Sequence, residues 1–100
     1  MSDQRAAALE YAESNNTRFL TELKEFLTIP SISTDPDHVE DMVKAADWVA
    51  NQFNNLGLDK VEVFPTEGHP VVYGELSSET QGAQTVLVYG HYDVQPAEPL

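Results

Sequence analysis

The sequence predicts an α/β fold of two helices followed by three strands, in an incomplete sheet. Three observations carry this expectation. Apolar residues recur at steps of three and four through most of the first 56 positions, alternation with period two takes over at Lys60, and the run Thr85-Val86-Leu87-Val88-Tyr89 is apolar on both faces. A strand of that last kind reads as the interior of a sheet and needs helices over both faces, whereas two helices cover one. A length of 100 residues allows one domain.

The first helix is expected over residues 3–28, where Leu9, Ala12, Phe19, Leu20, Leu23, Phe26 and Leu27 form one stripe. The polar patch Ser14-Asn15-Asn16-Thr17 marks a bend or break in it, because Asn and Ser side chains compete for the backbone. Pro30 ends it, since the residue before a proline is driven out of the α region. Residues 30–36 then read as an ordered loop. The second helix has two candidate starts: Asp35 with Pro36 matches a cap followed by N1, and Asp37 with Glu40 resembles a capping box. Val39, Met42, Val43, Ala46, Val49, Ala50, Phe53 and Leu56 carry its stripe for about five turns, and Gly57 supplies the left-handed stop. Lys60-Val61-Glu62-Val63-Phe64 and Pro70-Val71-Val72-Tyr73-Gly74-Glu75-Leu76 read as strands, and the turn Thr66-Glu67-Gly68-His69 between them allows a hairpin.

Composition excludes several classes of function. Five Lys and Arg stand against 17 Asp and Glu, a net charge of −12, and every Lys and Arg lies in the first sixty positions. Nucleic acid, whose phosphates call for basic side chains, is therefore not an expected partner. No apolar run reaches the length of a membrane span and the N-terminus has no apolar core of a secretory signal, so a cytoplasmic protein without a membrane partner is expected. With no cysteine, any metal must be held by His, Asp or Glu.

The most informative cluster is Gly90-His91-Tyr92-Asp93, at the expected carboxyl end of the doubly apolar strand, where sites gather in open α/β sheets. In extended backbone His91 and Asp93 share one face and Tyr92 takes the other. Spacing alone admits two readings. One is a histidine bonded to a nearby Asp for structural reasons; the other is a metal ligand whose ring is oriented by a carboxylate. His38, in the first turn of a helix, and His69, in a turn, read as a solvated and a loop residue. Ser31 and Ser33 lack the G-x-S-x-G setting of a nucleophile. Trp48 reads as packing, and Glu22, Glu25, Glu40 and Asp41 as solvated helix faces.

The stretch from Thr85 through Gly90-His91-Tyr92-Asp93-Val94-Gln95-Pro96 closely resembles the first metal motif of the M20 metallopeptidases, and within them the dipeptidase branch that includes cytosolic nonspecific dipeptidase and carnosinase. Supporting matches are Ile29-Pro30-Ser31-Ile32-Ser33 after the first helix, Leu56-Gly57-Leu58 after the second, and the strand pair. The resemblance implies the N-terminal portion of a zinc-peptidase-like catalytic domain, residues 1–100, with the lid domain absent. It further implies hydrolysis of dipeptides or short peptides at a site of two zinc ions, with manganese or cobalt as other candidates. His91 is then a metal ligand, and Asp93 the catalytic carboxylate that orients it. The general-base Glu and the other ligands are expected beyond Leu100, so the 100 residues alone are expected to be inactive and to bind zinc weakly. A homodimer through the lid is compatible with the full-length protein. An M20 deacylase or aminoacylase acting on N-acyl amino acids shares the motif, and a non-catalytic binding or scaffold module is the alternative of another class.

Overall fold

The computed structural model describes residues 2–98. Helix α1 spans Ser2–Ser14 and α2 spans Asn16–Leu27, so the polar patch is a break. At the break the Asn15 side chain donates to the Tyr11 carbonyl at 2.9 Å. Arg18 ties the two helices together, reaching the Tyr11 hydroxyl at 3.0 Å and the Glu22 carboxylate at 3.2 Å. From residue 3 to residue 14 helix α1 lies at the surface, with Leu9 and Tyr11 exposed, so the stripe expected over residues 3–28 is buried nowhere along that stretch.

Asp35 settles the two candidate starts of the next helix. Its backbone is extended, its carboxylate accepts from the Asp37 amide at 2.9 Å, and Pro36 occupies the first position of a short 3-10 turn, Pro36–His38, that leads into α3, Val39–Asn55. The far end closes as a Schellman motif: Gly57, at φ 75°, donates to the Asn54 carbonyl at 3.0 Å while Leu58 donates to Phe53 at 3.4 Å.

Strands β1, Lys60–Phe64, and β2, Val71–Glu75, pair antiparallel as the hairpin the turn chemistry allows. Thr66 organises the turn, its hydroxyl accepting from the Gly68 amide and donating to the His69 carbonyl. Val61, Val63, Val72 and Gly74 are the half-buried positions of the two strands, and α3 packs against the hairpin. Opposite Val61, Gly74 has no side chain because the space is taken. A Cβ there would stand 2.6 Å from Leu58 Cδ1 and 2.8 Å from Phe53 Cδ2. The buried core is Met42, Ala45 and Ala46 of α3, together with Ser31. Helix α2 joins α3 through Phe26 and Trp48, whose rings lie 4.8 Å apart, and the Trp48 indole N–H donates to Glu25 at 2.8 Å. Trp48 is thus packing, as expected, while Glu25 is its acceptor and not merely a solvated residue.

The third strand is a correction. Residues 85–89 adopt no strand, and Val86, Leu87, Val88 and Tyr89 are 82% to 88% exposed. A strand exists only with a neighbour to complete its hydrogen bonds, and among the described residues none lies beside this segment. The α/β character stands, with the sheet reduced to one hairpin. Among the described residues no helix is long and apolar enough to cross a membrane.

Candidate metal centre

Three segments far apart in sequence meet at the site: the loop after α2, the hairpin turn, and residues 91–94. The first and last are joined backbone to backbone. The Val94 amide donates to the Ser31 carbonyl at 2.9 Å, making a single parallel bridge between Ile32 and Val94. Ser31, 2% exposed, adds its hydroxyl to the Tyr92 carbonyl at 2.9 Å. The hairpin turn holds both partners. The Tyr92 hydroxyl donates to the Pro70 carbonyl at 2.6 Å, and His69 Nε2 lies 2.8 Å from the Ser33 carbonyl. A carbonyl only accepts, so His69 carries a hydrogen on Nε2.

His91 and Asp93 lie on this frame, positioned by loop contacts and not by a strand end. They share a face, as the two-residue spacing predicts, with His91 Nδ1 2.8 Å from Asp93 Oδ1. Tyr92 points the other way, into its contact with Pro70. The other carboxylate oxygen, Oδ2, accepts from the Ser33 hydroxyl at 2.5 Å. Asp93 therefore has one partner on each oxygen. The Ser33 hydroxyl, and after it the His91 contact, hold its carboxyl below the ordinary value of 3.8, so it is an anion at neutral pH. An anionic carboxylate accepts and does not donate, which puts the hydrogen of neutral His91 on Nδ1 and the lone pair on Nε2. The His91 side chain is 76% exposed, and that lone pair faces open space. Burial, and then the Asp93 charge, raise the Tyr92 hydroxyl above its ordinary value of 10.0, so it remains a donor to Pro70.

A free imidazole nitrogen on a ring fixed from behind by a carboxylate is the chemistry of a histidine metal ligand. The other two histidines are placed elsewhere. His38 Nδ1 lies 2.7 Å from Asp41 Oδ2 at the start of α3, and His69 faces Ser33. Among the described residues no three His, Asp or Glu side chains gather as a group able to hold an ion. The structure brings the candidate residues His91 and Asp93 together as a pair, and adds Ser31, Ser33, His69 and the Tyr92 hydroxyl, which the sequence did not point to, as their supports. The one signal available was the alternation Ser31-Ile32-Ser33, which sends both hydroxyls to the same side of an extended segment.

No family model matches the chain, and no solved structure matches it. Curated relatives do. The chain is 32% identical over 97 residues to the Cys-Gly metallodipeptidase dug1 of Schizosaccharomyces pombe, covering 88% of this chain and 20% of that protein. It is 32% identical over 84 residues to the cysteinylglycine-S-conjugate dipeptidase of Corynebacterium striatum, covering 84% of this chain and 18% of the relative. For the Cys-Gly metallodipeptidase DUG1 of Candida albicans the identity is 30% over 97 residues, with 85% and 20% covered. The chain thus spans about a fifth of the length of these relatives.

Proposed function

We propose that these residues are the N-terminal portion of the catalytic domain of a metal-dependent dipeptidase of the M20 kind, with His91 Nε2 as a metal ligand and Asp93 as the carboxylate that orients it. The observation that carries this reading is the His91–Asp93 pair, in which Nδ1 is engaged at 2.8 Å and Nε2 is left free on an exposed ring. Similarity to proteins named Cys-Gly metallodipeptidases supports the substrate class, a dipeptide.

The donor set fits the assigned metal. Imidazole nitrogen suits zinc, and any further ligand drawn from these 100 residues, which hold no cysteine, is nitrogen or carboxylate oxygen. We assign the remaining ligands, and the second zinc ion, to segments outside these 100 residues. Bound divalent metal supplies Lewis-acid polarisation of the scissile carbonyl and acidification of water. Within this chain, His91 offers the lone pair, Asp93 keeps the ring hydrogen on Nδ1, and the Ser31–Val94 contact holds the segment that carries both.

The experiment is His91→Ala in the full-length protein, assayed with zinc on Cys-Gly and on N-acyl amino acids. The expected loss of kcat/KM on the dipeptide exceeds the about 10- to 100-fold that removing an orienting partner costs. Hydrolysis at the wild-type rate would refute the ligand assignment. In the wild-type full-length protein assayed alongside, preferential cleavage of N-acyl amino acids would replace the dipeptidase reading with a deacylase, and inertness toward both with or without zinc would point to a binding module.

A further inference from the structure

We propose that Ser33 is a positioning residue of this metal centre, its hydroxyl anchoring the Asp93 oxygen that His91 does not use and so fixing the direction of the His91 ring. The proposal rests on the reading of His91 as a ligand. Its ground is a mismatch between the exposure of the pair and the order a ligand needs. The His91 and Asp93 side chains are 76% and 37% exposed, and an exposed pair of this kind is held only weakly by its own attraction. Nothing in that pair by itself prevents the carboxylate from turning about its bond to Cβ and carrying the imidazole with it.

The Ser33 contact supplies the missing constraint. The hydroxyl donates to Oδ2 at 2.5 Å while Oδ1 stays with His91 at 2.8 Å, so the carboxylate is held at both ends. The donor is itself fixed. Ser33 lies in a segment tied to residues 92–94 by the Val94 amide and the Ser31 hydroxyl, and its own carbonyl receives the His69 Nε2 hydrogen at 2.8 Å. Order therefore passes from the hairpin turn to the loop, from the loop to Asp93, and from Asp93 to the nitrogen that His91 presents. The same backbone placed without the hydroxyl would keep the Ile32–Val94 bridge and lose only the last link.

The test uses the full-length protein in wild-type, Ser33→Ala, Ser33→Thr and His91→Ala forms. Zinc affinity is measured by chelator competition, the visible spectrum is recorded with cobalt in place of zinc, and the His91 ring tautomer is read by 15N NMR of the metal-free protein. Ser33→Ala is expected to raise the zinc Kd by about 10- to 100-fold, to alter the cobalt spectrum, and to mix the His91 tautomers. Ser33→Thr, which keeps the hydroxyl, is expected to restore all three. If Ser33→Ala fails to fold, Ser33→Cys, of similar volume and with a poor donor, takes its place under the same criteria. Wild-type zinc affinity and cobalt spectrum in the hydroxyl-less variant, alongside lost affinity in His91→Ala, would overturn the role of Ser33 alone. Unchanged affinity in both would overturn the ligand reading beneath it.

Discussion

Asp93 does two things at once because its two oxygens have different neighbours. Ser33 holds one and His91 the other, and both contacts favour the anion. A carboxyl whose pKa is lower in the folded than in the unfolded state stabilises the fold above the unfolded value and loses that contribution as pH falls through the folded one. The contact between residues 33 and 93 is therefore complete at neutral pH and is lost only in acid below the ordinary carboxylate range. Ser33→Ala removes the largest cause of the shift, so the Asp93 side-chain 13C titration of the metal-free protein is expected to move upward toward 3.8. A titration that stayed in place would show that the hydroxyl does not govern the charge. Asp93→Asn makes a sharper change, because an amide offers only one acceptor oxygen and places N–H against either the Ser33 or the His91 hydrogen. In the full-length protein its kcat/KM is expected to fall by about 10- to 100-fold with little change in thermal midpoint. Equal losses of activity and stability would mean that Asp93 serves the fold and not the site.

At the scale of elements, local chemistry decided boundaries and tertiary partners decided existence. Asp35 caps the entry to α3, and Asp35→Ala is expected to cost about 1 kcal/mol, read as a lower urea midpoint with an unchanged slope. Gly74 is the opposite case, a residue set by its neighbours. Adding one carbon forces Phe53 and Leu58 aside, so Gly74→Ala is expected to destabilise by about 1 to 3 kcal/mol, and an unchanged midpoint would mean the hairpin can shift from α3. The Gly57 stop, the alternation through Val61 and Val63, and the Asp35-Pro36 cap as one of two candidate starts were legible because each is a local preference that the chain satisfies by itself. The apolar run at 85–89 was misread for the converse reason. Its pattern records what two covering layers would bury, and carries no information on whether a neighbouring strand is there. The site divides in the same way. The spacing of two puts His91 and Asp93 on one face and so within reach of each other, without deciding between a structural and a metal-binding role, whereas Ser33 reaches Asp93 across sixty positions and His69 reaches Ser33 across thirty-six, which no local pattern encodes.

For the molecule as a whole, charge and exposed apolar surface oppose one another. The described residues have a radius of gyration of 16.5 Å, against about 13 Å for a compact domain of this length. The shape is elongated, with extents of 47 × 31 × 19 Å, and apolar surface is left uncovered at residues 86–89, at Leu9 and Tyr11 of α1, and at Leu20, Leu23 and Leu27 of α2. The run from Thr85 to Tyr89 is uncharged, free of proline and rich in β-forming residues, which is the pattern of a segment that pairs with another copy of itself. A net charge of −12 resists that pairing at long range. Salt removes the resistance, since the screening length falls from about 30 Å at 0.01 M to about 3 Å at 1 M, while the apolar attraction is not screened. The 100-residue chain is therefore expected to sediment as a monomer in dilute buffer and to associate as salt is raised. Val88→Asp, which places a charge in the middle of the run without touching the core, is expected to keep it monomeric throughout. Association that ignored salt, or that persisted in Val88→Asp, would move the cause from residues 85–89 to the apolar face of α2, and a parallel Leu23→Glu variant would then abolish it.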